Sequence, residues 1–493
     1  MKITEVLANL PLKSPIPQSL RLSEISGLEY DSRHVQPGFL FFAFPGAKAD
    51  GRQFAASALN KGAIAVVSES PAPSDLEARW IVVEHGRRAL ATAARNFYLD
   101  PAARLGITGI TGTNGKTTTT FLTDAILRHA GKVTAVIGTI EYRMGAEIRP
   151  AVNTTPESLD LYRLFHELQS IGGTHVTMEV SSHALALGRA YGVRFHTAVF
   201  TNLTRDHLDF HHTMEDYFAA KHLLFTPEGA PPPKWAVINT DDEYGRRIQA
   251  AGTSQVLRYG FEPGADVRAV NMRTGFDGLH FTIEHAGKEI PMRSPLVGRI
   301  NVYNILAACS AALSYGLDWN MIAPGIAEAP PVPGRFERVD EGQPFLVVVD
   351  YAHTDDALRN VIAVARSLHA NRVITLFGCG GDRDRSKRPL MGKAAGEASD
   401  FVVLTSDNPR SEDPLAIMND ALVGLRRYDT PHVAEPDREK AIRAAIRQAS
   451  PGDIVILAGK GHEPYQVLKD RTISFDDREV AREVLRGLGY TKR

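Results

Sequence analysis

Cysteine is nearly absent from this chain: Cys309 and Cys379 are the only two in 493 residues. One lies in an apolar helical stretch and the other follows an apolar run, so they build neither a disulfide framework nor a cysteine zinc site. Long hydrophobic runs are missing as well. No stretch approaches the ~18 apolar residues of a membrane span, and Met1–Pro15 alternates polar and apolar residues without the apolar core of a secretory leader. A membrane partner is therefore not expected, and the expected location is the cytoplasm. An excess of one charge is the third absence. With 56 Lys+Arg against 57 Asp+Glu the net charge is −1, and no basic run marks a nucleic-acid surface. The remaining composition is that of a globular protein, expected as a monomer, with length for roughly three domains that each bury a core.

Apolar runs and turn residues divide the chain into three α/β parts. Residues 1–100 hold strand candidates Phe39–Phe44, Ala63–Val67 and Trp80–Val83 between helical stretches, and Asp100-Pro101 closes the part because a residue before proline leaves helical space. Residues 101–333 begin with a strand over Leu105–Ile110 and continue through candidates Val133–Ile137, His175–Val180, Thr197–Asn202 and Trp235–Asn239. Helices alternate with them, which predicts a mostly parallel sheet of the P-loop ATPase type. Short alternating strands over Val256–Met292 form a β excursion, a helix follows at Asn301–Tyr315, and Pro330–Gly334 forms a linker. Residues 334–493 repeat strand, turn and helix at Phe345–Val349, Val373–Phe377, Phe401–Thr405 and Ile454–Leu457. Such repetition predicts a Rossmann-like doubly wound sheet, which binds ligands beyond the carboxyl ends of its strands.

The chemistry concentrates at strand ends. Gly112-Thr113-Asn114-Gly115-Lys116-Thr117-Thr118 puts a glycine turn, a lysine and a hydroxyl between an apolar strand and a helix. Backbone N–H groups and the helix dipole favour an anion there, Lys116 reaches terminal phosphates, and Thr117 suits magnesium. Because Ile110 stands where the strict pattern has glycine, this is a variant P-loop for ATP or GTP. Glu179 ends the strand at 174–180 and presents a hard oxygen ligand for magnesium near the loop. The segment Leu203-Thr204-Arg205-Asp206-His207-Leu208-Asp209 adds ligands or phosphate contacts. Its histidines, with His211 and His212, also admit zinc, but no cysteine ligands or two-turn His pair accompany them. Thr213 and Asp216 cap a helix expected to run to Phe225, and Lys221 falls on its apolar stripe. Periodicity leaves two readings open there, a lysine snorkelling to water and a lysine pointing into the site. In the last part, Arg383 and Arg410 offer planar forks for carboxylates, with Asp407, Asn408 and Glu463 nearby, so an amino acid is a natural guest. Asp350 and His353 face the nucleotide or cap a helix.

Taken together, the loop at 112–118, Glu179-Val180-Ser181-Ser182-His183, the 202–209 segment and Asp350-Tyr351-Ala352-His353 resemble the Mur ligase family in order and spacing over nearly the whole chain. Asp407-Asn408-Pro409-Arg410 resembles the signature of members that add meso-diaminopimelate. The resemblance implies a UDP-substrate domain, a central ATP-binding domain and an amino-acid-binding domain. It further implies ATP-dependent amide formation through an acyl phosphate, in peptidoglycan synthesis and hence cell shape and division. The implied small-molecule partners are ATP, the UDP-muramoyl dipeptide and meso-diaminopimelate, with Mg2+. By the same likeness Lys116, Lys221, Glu179 and His207 are catalytic, and Thr117, Glu179 and His207 hold magnesium. Ser32, Ala49, Asn153, Thr154, Thr155, Ser181 and Arg189 touch the UDP-muramoyl dipeptide. Arg383, Asp407 to Arg410, Gly459 and Glu463 touch the diaminopimelate. Lys48 is added to the UDP contacts by charge alone. Lys221 matches a carbamylated lysine, an N6-carboxylysine, and that accounts for its apolar stripe better than snorkelling. Leu187, Ala47 and Asp355 depart from the family pattern. Alternatives are a lysine-adding relative, against which Arg410 speaks, and a folylpolyglutamate synthase, which needs no N-terminal hundred residues. A regulatory GTPase would need a guanine-reading Asn-Lys-x-Asp loop, and a scaffold without chemistry would not need Lys116, Thr117 and Glu179.

Overall fold

A computed structural model of the protein describes residues 1–46, 49–275 and 277–491. They form two compact units, one of residues 1–268 with 306–325 and one of 269–305 with 326 onward. The architecture is mixed α/β throughout.

The first unit carries two sheets. Gly27–Glu29, Phe39–Ala43, Ala65–Ser68 and Trp80–Val82 pair in that order, all parallel. The helix Gly86–Phe97 buries Ala89, Leu90, Ala93 and Ala94 in one core with Leu40 and Phe42. In the second sheet Gln255–Gly260, Trp235–Asn239, Thr197–Phe200, Gly106–Thr111, His175–Glu179 and Thr134–Ile137 run parallel in that order. Glu141–Met144 and Glu147–Pro150 extend it antiparallel. Gly106–Thr111 is thus a central strand, and Ile110 is fully buried opposite Glu179. Its side chain belongs to the core, which explains why a glycine is not required there. The loop proper starts at Gly112.

In the second unit Leu346–Asp350, Ile454–Ala458, Val373–Cys379, Phe401–Ser406 and His432–Glu435 lie parallel in that order. Glu337–Val339 pairs antiparallel at one edge. Alternate residues feed two cores: Val348, Ile456 and Leu404 on one face, Val347, Val455 and Val403 on the other. Burial on both faces produces the uninterrupted Val/Ile/Leu runs of the sequence. All the carboxyl ends of the parallel strands therefore share an edge, where the polar clusters sit.

Most expected elements stand within a few residues, and the differences have local causes. The helix capped by Thr213 is Met214–His222 and stops before Phe225. Pro227 disfavours helix just ahead of it, while Leu224 and Phe225 stay fully buried in the core. The helix expected at Asn301–Tyr315 spans Arg299–Ser314. Periodicity also missed the hairpin Glu141–Met144/Glu147–Pro150 and the edge strand His432–Glu435, none of which is the fully buried apolar run of the inner strands. Among the described residues, no helix is long and apolar enough to cross a membrane.

Candidate active site

Gly112 has φ +149° and Gly115 φ +86°, conformations that side chains with a Cβ rarely adopt. A Cβ at Gly112 would collide with the Thr201 hydroxyl. The turn is held against the adjacent strand end: Thr113 N–H donates to Asn202 O (2.9 Å), Asn114 N–H to Asn202 Oδ1 (3.0 Å), and the Thr201 hydroxyl to Asn114 O (2.7 Å). Lys116, the first residue of the helix Lys116–His129, curls back so that Nζ donates to Gly112 O (2.9 Å) and Thr113 O (2.8 Å). The ammonium is thereby held over the turn, where helix dipole and loop N–H groups also act on an anion.

Beside the turn, Glu179 is almost fully buried. Its carboxylate accepts from the Thr117 hydroxyl (3.0 Å), the Thr139 N–H (2.8 Å) and the Thr139 hydroxyl (3.1 Å). Thr139 went unnoticed in the sequence, because a threonine after a glycine at a strand end carries no signal of its own. The carboxylate and the Thr117 hydroxyl are neighbouring hard oxygens, a donor set that fits a magnesium ion completing its shell with phosphate oxygens and water. His207 is not in that set of contacts. It lies in a left-handed conformation at φ +53°, its ring edge-on to His183 and packed toward Tyr217. Burial lowers its pKa to about 4, as it does that of His211, and His183 is lowered for the same reason. Among the described residues, no three of His, Cys, Asp and Glu converge as a metal centre.

Lys221 resolves the ambiguity of its apolar stripe. It is 1 % exposed, so it does not snorkel, and Nζ donates to Gly112 O at 2.8 Å with the Tyr217 ring 4.5 Å away. Burial, reinforced by the Lys116 charge, drives its pKa well below the ordinary lysine value. Burial thus disfavours the cationic form of an amine that sits on the P-loop carbonyl.

Of the residues expected to touch the muramoyl dipeptide, Thr154 and Thr155 adjoin Thr139 and Glu179, and Ser181 and Arg189 bond Thr155. The Thr139 and Thr154 hydroxyls are 3.1 Å apart, the Thr155 hydroxyl donates to Glu179 O (2.9 Å) and accepts from Ser181 N–H (3.0 Å), and Arg189 donates to Thr155 O (3.2 Å) and Glu157 (3.1 Å). Asn153 is tied through its backbone to the Tyr142 hydroxyl. Ser32 lies in the first part of the chain with its carbonyl accepting from Lys61 Nζ at 2.9 Å, and Ala49 O accepts from Gly46 N–H. Lys48 and Ala47 lie outside the described residues. Of the other departures, Leu187 ends the helix Ser182–Ala186 and Asp355 opens the helix Asp355–Ser367, where an acidic first-turn residue suits the dipole as well as a proline suits the φ.

The second unit has its own polar cluster. Asn408 Nδ2 donates to Glu463 Oε2 (2.9 Å), while Asn408 Oδ1 accepts from Val467 N–H (2.9 Å) and the buried Lys460 Nζ (3.2 Å). Lys460 also pairs with Glu463 at 3.3 Å. Arg410 takes φ +52° and donates to Gly381 O (2.6 Å), and Arg383 donates to Asp382 O (3.3 Å). Both forks thus lie on one loop pair, and Pro409 links Arg410 to the anchored Asn408. Gly459 has φ +115° and admits the Asp407 carboxylate where a Cβ would stand. Asp350 does not cap a helix: it accepts from Phe336 N–H (2.7 Å) and Ala352 N–H (2.9 Å), and burial raises its pKa. Thr354 is the cap, and His353 folds onto Tyr351 O. Cys309 and Cys379 are buried and unpaired.

A parallel sheet that presents a lysine-bearing glycine loop beside a buried carboxylate is the build of a phosphoryl-transfer enzyme. Three family descriptions match: the Mur ligase family, catalytic domain, at residues 24–98, the Mur ligase middle domain at 110–312, and the Mur ligase, glutamate ligase domain at 334–461. The chain belongs to the Mur ligase family and is an ATP-dependent, amide-forming ligase. It is 67 % identical over 490 residues to the UDP-N-acetylmuramoyl-L-alanyl-D-glutamate--2,6-diaminopimelate ligase of Solibacter usitatus (strain Ellin6076), covering 99 % of both chains. A solved structure of a ligase of that same name superposes with TM-score 0.73 at 33 % identity over 100 % of both chains. The MurF ligase of Thermotoga maritima in complex with ADP shares the fold, with TM-score 0.61 at 18 % identity over 94 % of this chain and 97 % of that one.

Proposed function

We propose that this enzyme joins meso-diaminopimelate to the glutamate carboxylate of UDP-N-acetylmuramoyl-L-alanyl-D-glutamate, making a peptidoglycan precursor in the cytoplasm. It works as a monomer on three small molecules, with neither membrane nor nucleic acid as partner. The reading rests on the relatives' shared name and on one observation above all, the Asn408–Glu463 pair that presents Arg410 and a carboxylate from two strand ends. A guanidinium suits the far-end carboxylate of diaminopimelate, which lysine lacks, and a carboxylate suits the ammonium beside it.

In the proposed division of labour, residues 1–100 bind the UDP part through Ser32, Lys48 and Ala49. Residues 101–333 bind ATP on Gly112 to Thr118, and residues 334–493 bind the amino acid through Arg383, Asp407 to Arg410, Gly459 and Glu463. Asn153, Thr154, Thr155, Ser181 and Arg189 orient the dipeptide. Lys116 leaves its loop carbonyls for the γ-phosphate and offsets charge as the phosphoryl group moves to the substrate carboxylate, giving ADP and an acyl phosphate. The diaminopimelate amine then attacks the acyl carbon, phosphate departs, and the amine loses a proton as the amide forms. Thr117 and Glu179, with His207 as the further expected ligand, would hold magnesium, which would supply neutralisation of phosphate charge. Lys221 reacts as the free amine with CO2, forming a carbamate and releasing a proton, and so places an anion where a cation would repel the metal.

Phosphate release measured with ATP, the UDP-dipeptide and single amino acids tests the reading. Turnover is expected with meso-diaminopimelate and far less with lysine. Equal turnover with both removes the selectivity assignment, and phosphate release independent of any amine removes the ligase step.

A further inference from the structure

The Arg438 side chain is fully buried, as are those of its partner Asp477 and of Lys460. The residue opens the helix Arg438–Gln448, and nothing in its local sequence pattern distinguishes it from a surface arginine. Its partners do. Nε and Nη2 donate to the two carboxylate oxygens of Asp477 (2.8 and 2.6 Å), Nη2 also to Ala458 O (3.0 Å), and Nη1 to Ser406 O (3.2 Å). Ser406 and Ala458 are the last residues of two strands that are not neighbours, because Val373–Cys379 lies between them. A single guanidinium therefore spans the middle strand and ties both strand ends. The residues that follow those ends are Asp407 to Arg410 and Gly459 to Glu463.

A buried ion pair returns little net stability against a well-packed apolar substitute, because desolvation offsets most of the attraction. Geometry is what the fork supplies. The two loops approach so closely that a Cβ on Gly459 would stand 2.5 Å from Asp407 Oδ2, and Asn408 must meet Glu463 at 2.9 Å across the same gap. Tolerances of a few tenths of an ångström decide whether the opposed guanidinium and carboxylate fit a ligand.

We propose that Arg438, anchored by Asp477, is a positioning residue that sets the spacing of the two loops forming the diaminopimelate site, an inference that rests on the functional reading above. Lysine cannot replace it, since a single ammonium has no planar fork to reach Asp477 and both carbonyls together.

The test is steady-state kinetics on the full-length Arg438→Met, Arg438→Lys and Asp477→Asn enzymes, varying each substrate in turn. In Arg438→Met the KM for diaminopimelate is expected to rise about tenfold or more, while the KM values for ATP and the UDP-dipeptide change by less than about twofold and kcat at saturating amine falls by less than about threefold. Arg438→Lys and Asp477→Asn shift the same KM by less, and they carry the test if the methionine variant does not fold. A uniform fall in kcat with all three KM values moving together marks a purely structural role and overturns the proposal. An unchanged KM for diaminopimelate in folded variants overturns it equally. If the wild-type enzyme turns over with a different amine, the functional reading fails, and the spacing role is then read in the KM for that amine.

Discussion

Lys221→Met separates a structural lysine from a chemical one. Methionine has nearly the same length and no charge, so the buried stem keeps its packing. The lost bond is the 2.8 Å donation to Gly112 O, a carbonyl that still accepts from Lys116 at 2.9 Å. No buried acceptor is orphaned, and the cost is about 1 kcal/mol, reduced further because an amine no longer has to be desolvated. For a unit of this size that is a fall in Tm of about 2–4 °C at most. Turnover responds differently. If the lysine is carbamylated, the substitution removes an anion from a water-poor site beside the phosphates, and kcat should fall by about 100-fold or more. Phosphate release under saturating ATP, UDP-dipeptide and diaminopimelate measures kcat, and a thermal melt measures the stability arm. A second arm uses the wild-type enzyme: exhaustive CO2 removal should lower its activity and bicarbonate should restore it. A methionine variant that keeps turnover within about fivefold of wild type, with wild-type activity indifferent to CO2, refutes the reasoning.

Arg410→Ala should raise the KM for diaminopimelate by about 10- to 100-fold and leave that for ATP nearly unchanged, as competition kinetics will show. Glu179→Gln should cost kcat about 100-fold with a small change in melting temperature, because the amide can keep its oxygen toward Thr139 N–H while the Thr117 and Thr139 hydroxyls rotate to accept; a shallower dependence of kcat on magnesium concentration is the accompanying signature. Gly112→Ala should abolish ATP binding in an equilibrium titration, since φ +149° and the Thr201 hydroxyl both exclude a Cβ. Burial holds His175 and His196, packed on Tyr315, at pKa values of about 4 against an ordinary 6.5. Between those values the unfolded chain binds more protons than the folded one, so stability falls as pH drops from about 6.5 toward 4. Both rings keep some solvent contact, so screening makes the effect smaller than the full shifts would give. Replacing both with glutamine should flatten that acid limb in urea unfolding at pH 7 and pH 5.

Local pattern carried a great deal of this. The strand at 106–111, the glycine turn and the helix after it are written within about two dozen consecutive residues, and such short-range order follows from turn chemistry and burial period alone. The parallel sheet of the last part was legible for the same reason, since strands buried on both faces must be runs of Val, Ile and Leu. Departures at Glu141–Pro150 and His432–Glu435 came where edge position, and not composition, makes a strand.

The sequence by itself determined that a phosphate loop, a carboxylate at the next strand end and a set of charged strand ends all exist in this chain. Tertiary structure decided what each charge faces. Lys221 lies 109 residues from the carbonyl it meets, Thr117 meets Glu179 across 62, and Arg438 joins Ser406, Ala458 and Asp477 across as many as 39. Periodicity places a side chain on a face but is silent about what packs on that face. Only strand order, which sets the ends of 106–111 and 175–179 side by side and parts 401–406 from 454–458 by one strand, turns the glycine loop and the buried amine into one site and makes an ordinary-looking arginine the clamp of another.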